Sequence, residues 1–469
     1  MKTLSLALLA ALSTTAFAAI DRTKKPDPDP APAASFPDYR TETLPNGLKV
    51  FVIEDDRKPT VNFRFIIRSG TATDGAKTGT AQFVAGLLNR GTEKRDAATF
   101  AVETDSIGVR VEGAAGPDGI SVAASGLTKY TDQLLDLLSD ALLHPTFPED
   151  QFVRLQRQTL SALNAEKQQP ESLANKLSGK VMYGSFPYGD YLTPEAVKAL
   201  KREDLAAFHH TYFLPNNASL AIVGDVKAAE ILPLIQKTFG GWTKGEIPAL
   251  KLPEIPQIHG LTIHLVDRPG SVQSNIIVCA TGPARNFPDL PEVNVLTSTL
   301  GGGFSGRLFQ NLREKHGWTY GSSCAFDYKK LAGTFEAQAE TRNEVTAPAV
   351  SEILKEIARI RDEAATDKEI SLQRQYNVGN YLLSLENSGR TAQRVQDIDL
   401  YGLPTDFYKT YARRMSETTP AKVQELAKKY LPTSDIAVIV VGEAKEIQPE
   451  LEKIGKVVVY DQDLKPVAK

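Results

Sequence analysis

The sequence predicts an α+β fold built from two related units, and three features point to it. Strand-like runs rich in β-branched residues stand near the beginning and end of the chain, as in residues 48–56 and 436–443. Long amphipathic segments lie between such runs, and residues 132–144 place their leucines on one helical face. Several segments of the first half recur in the second half. Together these features predict helices that cover one face of a sheet, twice in one chain.

The internal repeat consists of three pairs of segments that occur in the same order in both halves. The pairs are Gly47 with Gly260, residues 155–158 with residues 372–375 (LQRQ in both), and Gly224 with Gly442. The sequence offset between the two members is therefore nearly the same in all three pairs. A constant order with a nearly constant offset indicates duplication of one structural unit.

The N-terminal residues are predicted to precede the folded domains. Lys2, a short apolar run and the small residues around Phe17 form a signal peptide over residues 1–18. The apolar run is too short to span a membrane. Residues 19–38 form a proline-rich linker, which argues against the alternative of an N-terminal helix of the mature fold. We therefore expect a periplasmic protein that is cleaved after Ala18 and has no membrane anchor.

The domain boundaries follow from composition. Residues 39–245 form the predicted N-terminal domain and residues 259–469 the homologous C-terminal domain. Glycine and proline are frequent between them, so residues 246–258 are the predicted linker. Helical segments are predicted at residues 79–91, 132–144 and 149–176, the last of which loosens near Pro170.

Composition and charge limit the possible functions. Of the 469 residues, 42% are hydrophobic and 24% are charged, as in a soluble protein with a sizeable core. A formal net charge of -3 gives no electrostatic basis for binding nucleic acid or an anionic membrane. Only two cysteines occur, Cys279 and Cys324. One disulfide and two buried free thiols are both compatible with their strand-like surroundings.

The motifs of common hydrolases are absent from the sequence. No two of the six histidines are three or four residues apart, so none forms a two-histidine zinc motif on one helical face. A G-x-S-x-G elbow, a P-loop and a CxxC pair are also missing. The chain alone therefore has no recognisable catalytic constellation.

Several segments resemble the pitrilysin/insulinase-type zinc metallopeptidases. The matching segments are the strand start at Asn46, the strand end at Ser69-Gly70, the helix at residues 79–91 and residues 208–225 (FHHTYFLPNNASLAIVGD). With the duplicated half, the resemblance covers nearly everything after the linker. It implies two homologous domains, each a mostly antiparallel sheet covered by long helices, that together form half of a clamshell.

The resemblance also identifies the place of a zinc site. In active members the early helix carries H-x-x-E-H, in which two histidines bind zinc and the glutamate activates the zinc-bound water. A later glutamate is the third ligand. Here the four positions hold Gln82, Ala85, Gly86 and Ala162. None of these side chains binds zinc strongly or accepts a proton from its water, so no metal and no cofactor is expected in this chain.

The second half retains a different family motif. In related enzymes an arginine, and a tyrosine seven residues later, reach toward the zinc site, hold the substrate backbone and help to stabilise the oxyanion. Arg313 and Tyr320 match this spacing. The alternative is a salt-bridging surface arginine and a half-buried strand tyrosine. Gly301, Gly302 and Gly303 either let a loop approach the peptide backbone or form only a tight helix entry.

The resemblance finally suggests a function. Some exported bacterial members and the mitochondrial processing peptidase contain two unlike subunits, of which one carries the zinc motif. We therefore expect a non-catalytic subunit of a heterodimeric zinc metalloendopeptidase, inactive alone. It would bind unfolded or short peptides and contribute Arg313 and Tyr320 in trans to a homologous, zinc-binding partner with H-x-x-E-H. The alternatives are a structural subunit of the respiratory core-protein type and a stand-alone periplasmic peptide-binding protein.

Overall fold

Two six-stranded sheets organise the chain. The structure, a computed structural model, describes residues 36–467. The first sheet consists of β1 (Arg40–Thr43), β2 (Lys49–Glu54), β3 (Thr60–Ile67), β4 (Arg110–Ala115), β5 (Ile120–Leu127) and β6 (Ala218–Gly224). The second sheet consists of β7 (Leu261–Asp267), β8 (Gln273–Gly282), β9 (Ser322–Tyr328), β10 (Gly333–Arg342), β11 (Ile436–Gly442) and β12 (Lys456–Tyr460). The runs rich in β-branched residues thus form strands, as their composition favours.

The two sheets share one topology. Their strand orders are β1-β2-β6-β3-β5-β4 and β12-β7-β11-β8-β10-β9, so the last five strands of each order correspond. Neighbouring strands are antiparallel except in the pairs β2–β6, β7–β11 and β7–β12. Every residue of the inner strands β6 and β11 is buried. The predicted α+β fold with two mostly antiparallel, homologous domains is confirmed.

Sixteen helices are named within the described residues. Those of the first half are α1 (Thr80–Leu87), α2 (Ala97–Ser106), α3 (Thr131–Leu143), α4 (Glu149–Glu166), α5 (Pro170–Tyr183), α6 (Pro194–Ala199), α7 (Arg202–Tyr212) and α8 (Ala228–Phe239). Those of the second half are α9 (Leu290–Gly301), α10 (Arg307–Phe309), α11 (Thr346–Asp362), α12 (Asp367–Leu385), α13 (Ser388–Tyr401), α14 (Phe407–Ser416), α15 (Pro420–Tyr430) and α16 (Ala444–Leu451). A π-helical turn, Gln310–Lys315, continues α10.

Two predicted helices differ from those observed. The segment predicted as helical over residues 149–176 is divided, because α4 ends at Glu166 and α5 begins at Pro170. Proline lacks a backbone N–H and its fixed φ suits the first position of a helix, so a new helix starts there. The helix predicted at residues 79–91 is shorter, and α1 ends at Leu87.

Each sheet is also covered by a helix that belongs to the other half. Helix α5 packs on β8 and β11, whereas α13 packs on β3 and β6. From α13, Gln396 Nε2 donates hydrogen bonds to the carbonyl oxygens of Arg64 and Ser219, at 2.8 and 2.9 Å. Asp399 on the same helix forms an ion pair with Lys49 at 2.8 Å. The two homologous domains thereby complete each other's hydrophobic layers, and residues 36–467 belong to one compact unit.

The predicted terminal and linker segments are only partly described. Residues 242–259, which include the predicted linker, form no helix or strand. Three of them, Leu252, Ile255 and Ile258, pack against the hydrophobic cluster that α5 forms with β8 and β11. The exact domain boundaries remain a prediction. The predicted signal peptide, residues 1–18, lies outside the described residues. Between residues 36 and 467, no helix is both long and apolar enough to cross a membrane.

Candidate functional site

Asp74 fixes the start of α1, the helix of the degenerate zinc motif. Its carboxylate accepts hydrogen bonds from the backbone N–H groups of Gly79 and Ala81, each at 2.8 Å. Gly79 adopts φ +100°, which favours glycine, and α1 begins directly after it. Burial raises the pKa of Asp74 to about 6, against the opposing effect of the two N–H groups. The chain thus enters α1 through a turn that is capped by the partly buried Asp74 carboxylate.

The motif positions of α1 face two environments. Gln82 and Gly86 are exposed and lie one helical turn apart. Ala85 is buried, on the side of α1 that packs against β4. The approach there is close, since a Cβ atom on Gly113 of β4 would lie 2.3 Å from the carbonyl oxygen of Ala85. Two of the three positions therefore face solvent, and the third lies against the sheet.

Helix α4 packs beside α1 and carries Ala162. The ring centroids of Phe83 and Phe152 lie 5.9 Å apart across this contact. A Cβ atom on Gly86 would lie 3.3 Å from Leu155 Cδ2, so Gly86 faces α4. Ala162 is exposed and stands two turns after Leu155 on the same face of α4. The structure thus places the two helices of the degenerate motif side by side.

The side chains at these positions do not fit a zinc ion. Gln82 offers one neutral amide, whereas Ala85, Gly86 and Ala162 offer no side-chain donor atom. Structural and catalytic zinc sites use thiolate, imidazole and carboxylate ligands. Among residues 36–467, no group of three or more His, Cys, Asp and Glu side chains is placed to hold a metal ion. We therefore derive no metal chemistry from this chain.

Arg313 lies in the π-helical turn that follows α10. Its guanidinium carbon is 4.9 Å from the ring centroid of Phe309 and 4.9 Å from that of Tyr320. The nearby carboxylate of Glu314 is 3.8 Å from Arg313 Nε, too far for a hydrogen bond. The Arg313 side chain is 34% exposed. Two rings thus contact the guanidinium, and no carboxylate of residues 36–467 lies within hydrogen-bond distance of its N–H groups.

Tyr320 projects from the turn between the π-helical segment and β9. Its exposed fraction is 88%, so it is not the half-buried strand tyrosine of the alternative interpretation. The buried Thr319 hydroxyl donates to the Gly321 carbonyl oxygen at 2.7 Å and accepts from the Gly321 N–H at 3.1 Å. This tight turn presents the Tyr320 phenol to solvent beside Arg313.

Asn311 anchors the π-helical turn to α11 and was not identified from the sequence. Its Nδ2 group donates to Glu352 Oε2 and to Glu356 Oε1, each at 2.7 Å. The bond from Asn311 contributes most to lowering the pKa of Glu352. These partners belong to a different helix that is distant in sequence, so no local pattern could have indicated them. Asn311 is two residues from Arg313 and fixes the segment that carries it.

The three consecutive glycines have structural roles of their own. Gly301 is the last residue of α9, and Gly302 and Gly303 follow it, so the three glycines form a helix exit, whereas a helix entry was the alternative considered from the sequence. A Cβ atom on Gly301 would lie 2.5 Å from the Cys324 backbone nitrogen, so this position requires glycine. A Cβ atom on Gly302 would lie 2.4 Å from Ser298 Cα. Gly303 adopts φ +66° in open space. A role for these glycines in peptide binding remains a prediction.

Both cysteines are free and buried. Cys279 lies in the hydrophobic cluster that includes α5, and Cys324 lies in the cluster that includes α9. Their sulfur atoms face the carbonyl oxygens of Ala437 and Thr297, each at 3.3 Å. Burial raises the pKa of the Cys279 thiol to about 12 and that of Cys324 higher still. The two thiols act as core residues on separate layers.

Comparisons with known proteins identify the family. The family model described as insulinase (peptidase family M16) matches residues 49–192, and the model described as peptidase M16 inactive domain matches residues 199–377. An uncharacterized zinc protease from Mycobacterium leprae is 25% identical over 395 residues, 83% of this chain and 88% of that protein. The non-peptidase homolog YmxG from Helicobacter pylori is 20% identical over 382 residues, 80% and 87% of the two chains.

Solved structures share the fold. A peptidase M16 inactive domain from Pseudomonas fluorescens superposes with a TM-score of 0.81 at 24% identity, covering 86% of this chain and 98% of that one. A protease from Helicobacter pylori gives a TM-score of 0.80 at 18% identity, with 86% and 99% coverage. The two family matches together cover more than half of the chain and include parts of both homologous domains. The chain therefore belongs to the insulinase-type peptidase family M16, as an inactive member whose zinc-motif helix holds Gln82, Ala85 and Gly86.

Proposed function

We propose that this chain is the non-catalytic subunit of a periplasmic, two-subunit zinc endopeptidase. The observation that carries the proposal is a contrast between its two halves. The first half has no side chain that could bind zinc at the motif positions, whereas the second half presents Arg313 and Tyr320 side by side on the surface. An inert scaffold has no need for an exposed phenol stacked on a guanidinium without a close carboxylate.

In this proposal the chain binds substrate and the partner performs the hydrolysis. Arg313 offers planar N–H donors that suit peptide carbonyl oxygens. Because the Phe309 ring already holds the guanidinium before binding, the Arg313 side chain loses less conformational entropy when a peptide binds. Tyr320 offers one O–H donor at the position where the partner's site would develop negative charge. A homologous chain with H-x-x-E-H would supply the metal and the general base. Unfolded or short peptides are the substrates that a closing clamshell admits.

The first test is assembly. The full chain should co-purify with a homologous H-x-x-E-H chain from the same organism when the two are co-expressed. Zinc content and cleavage of a quenched peptide are then measured for the chain alone, the partner alone and the pair. We expect zinc and cleavage only in samples that contain the partner. Stoichiometric zinc and chelator-sensitive cleavage by this chain alone would contradict the proposal.

The second test concerns the two residues. Tyr320→Phe should leave assembly intact and lower the kcat of the complex by on the order of a hundredfold, because one preorganised donor is lost. A loss that appears in KM instead would indicate that Tyr320 holds the backbone equally in the ground and transition states. Arg313→Ala should weaken peptide binding, and Arg313→Lys should not restore it, since an ammonium lacks the planar fork.

Matched controls are available in the same chain. Tyr130 also has a cation over its ring, Lys129 at 4.7 Å, and lies in the first half, so Tyr130→Phe should not change turnover. Arg413→Ala removes an exposed arginine paired with Glu417 and should likewise have no effect. If the variants of Arg313 and Tyr320 assemble normally and keep full kcat and KM, the structural-subunit alternative becomes the better account.

A further inference from the structure

An exposed apolar strip runs along α12. Leu372, Tyr376 and Leu383 are 40%, 53% and 72% exposed. Their spacings of four and seven residues place them on one face of the helix, with Gly379 between them. Nothing lies within 4 Å of a Cβ atom built on Gly379, so the middle of the strip is open. We call these four residues the α12 face. Contiguous exposed apolar surface of this kind marks a binding site more often than scattered single residues do.

The α12 face continues toward Arg313 through Phe304. Gln373 of α12 donates to the hydroxyl of Ser305 at 3.0 Å, which fixes the loop containing Phe304 beside this helix. Phe304 is 75% exposed, and its ring centroid lies 5.0 Å from that of Phe309. Phe309 in turn supports Arg313. A chain of contacts thus connects α12, at Gln373 beside Leu372, through Phe304 and Phe309 to the guanidinium.

The internal repeat gives this face a counterpart in the first half. The LQRQ segment of the first half lies in α4, and that of the second half lies in α12. When the two LQRQ segments are aligned, Leu372 corresponds to Leu155 and Gly379 corresponds to Ala162. Leu155 is the residue that faces Gly86 of α1. The α12 face is thus the equivalent, in the second half, of the α4 face that borders the degenerate motif.

We infer that the α12 face and Phe304 bind aromatic or long aliphatic side chains of the peptide whose backbone Arg313 and Tyr320 hold. The inference rests on the proposed function and adds a substrate class to it. Leu372 and Leu383 are separated by eleven residues of helix, about 16 Å, which matches about five residues of an extended peptide. Such a peptide alternates apolar side chains with carbonyl groups.

Charge complementarity favours a peptide as the occupant of this surface. The guanidinium of Arg313 is linked to the N-terminal part of α12 through Phe309, Phe304 and Ser305, and within residues 36–467 no carboxylate lies within hydrogen-bond distance of it. It complements carbonyl oxygens or the terminal carboxylate of an extended chain, whereas the strip complements apolar side chains. A second copy of this chain is the competing occupant, and a measurement of molecular mass distinguishes it.

The test measures peptide preference with the full chain. Two labelled, unstructured peptides of equal length differ only by Phe or Ser at the centre, and their Kd values are obtained by fluorescence anisotropy. The unmodified chain should bind the Phe peptide about tenfold more tightly, the effect of burying one aromatic side chain. Tyr376→Ser combined with Leu383→Ser should reduce this preference to within about twofold and leave the Kd of the Ser peptide unchanged.

Controls separate this inference from the proposed function. Val102→Ser, which removes an apolar side chain that is 68% exposed on α2, should retain the tenfold preference. Arg313→Ala should weaken both peptides equally. If the double variant keeps the preference while Arg313→Ala weakens binding, the inference is wrong and the proposed function stands. If Arg313→Ala affects neither peptide, the proposed role of Arg313 is wrong, and loss of preference in the double variant would still support the α12 face.

Two further measurements complete the experiment. Thermal unfolding followed by circular dichroism should show that all variants fold, because the substituted side chains are exposed or, at Arg313, partly exposed. Light scattering should show the same mass for the unmodified chain and the double variant. If the double variant instead dissociates a dimer and keeps the peptide preference, the α12 face is an interface between copies, and the inference is overturned.

Discussion

At α1, Gln82 and Gly86 are exposed one turn apart, and Ala85 lies beneath them against β4. Asp74 caps the helix start, and Phe83 packs against Phe152 of α4. The two motif helices are therefore packed side by side, and the side chains at the motif positions lack zinc donors. Zinc ligands can therefore be introduced by substitution at these positions, and their effect on zinc binding can be measured directly.

Zinc binding should require a glutamate at position 162, where the resemblance places the family's third zinc ligand and this chain has alanine. Gln82→His with Gly86→His should bind zinc weakly, because two imidazoles leave the ion short of protein ligands. Adding Ala162→Glu should raise the affinity by at least tenfold, and Ala85→Glu is omitted because that position is buried. Titration against a chromogenic chelator measures this gain.

Asn164→Glu is the matched control for Ala162→Glu. Asn164 is exposed on α4, but two residues further along it points about 200° away around the helix. Added to the two histidines, this substitution should give no gain in zinc affinity. Equal affinities with the glutamate at either position would show that Ala162 does not correspond to the family's third ligand.

Asp74 should make stability depend on pH. Its pKa is about 6 in the folded chain and near the ordinary value of 3.8 when unfolded, so the folded state binds more protons between these values. The contribution of Asp74 to the free energy of unfolding should therefore fall as pH rises from 4 to 6, by on the order of 2 kcal/mol. Urea denaturation of the unmodified chain and of Asp74→Asn at several pH values should show this fall as a difference between the two pH profiles, which assigns it to Asp74, because carboxylates with lowered pKa values, such as Asp399 and Asp289, contribute to both proteins. Parallel pH profiles for the two proteins would contradict the assignment.

The π-helical turn is the element that gives Arg313 its setting. It runs from Gln310 to Lys315 and is followed at Gly317 by a residue with φ +65°. π-Helical turns are rare and frequently occur at functional sites. The sequence indicated the spacing of Arg313 and Tyr320, but it contained no sign of the π-helical register. Asn311 within the turn is hydrogen-bonded to Glu352 and Glu356 of α11, which are distant in sequence.

Asn311→Ala should act on peptide binding through Arg313. The change removes two hydrogen bonds to carboxylates and should lower stability by about 1–3 kcal/mol. It should also weaken peptide binding in the unmodified chain, but not in an Arg313→Ala background, because the effect requires a positioned guanidinium. Anisotropy titrations of the single and double variants measure this coupling.

Asn294→Ala is the control for a purely structural effect of Asn311. Asn294 also donates a side-chain hydrogen bond within the C-terminal domain, to the Tyr411 hydroxyl at 2.5 Å, but this contact lies away from the π-helical turn. Its loss should reduce stability without changing peptide affinity. Additive effects of Asn311→Ala and Arg313→Ala on affinity would show that Asn311 does not position Arg313.

At the scale of the whole molecule, the internal repeat was predictable from the sequence. The exchange of helices, in which α5 of the first half covers the second sheet and α13 of the second half covers the first sheet, was not. The recurrence of LQRQ indicated that residues 155–158 and 372–375 occupy equivalent helices, and the structure places them in α4 and α12. Helix α5 has a clear apolar face, including Leu173 and Leu177, but an apolar face does not specify which sheet it covers. That choice depends on contacts with β8 and β11, which are distant from α5 in sequence.

The exchange predicts that neither half folds alone. Without α5, a chain of residues 259–469 would expose the apolar face of its sheet that includes Ile277, Ile439 and Val441, all nearly fully buried in the structure. Burying each such side chain stabilises the fold by about 1.5–3 kcal/mol, a loss comparable with the whole stability of a domain. Residues 36–245 alone would likewise lack α13 over β3 and β6.

Fragment complementation tests this dependence. Each half expressed alone should be insoluble or should unfold without a cooperative transition, whereas the two halves co-expressed should co-purify as a folded complex. Gln396→Ala should weaken that complex, because Gln396 hydrogen-bonds to the backbone of both β3 and β6. Gln448→Ala is the matched control and should not weaken the complex, because the partly buried Gln448 donates to Glu452, four residues along the chain, and not to the other half. If either half alone is monomeric and unfolds cooperatively, the exchanged helices are a covering layer that the domains do not need in order to fold.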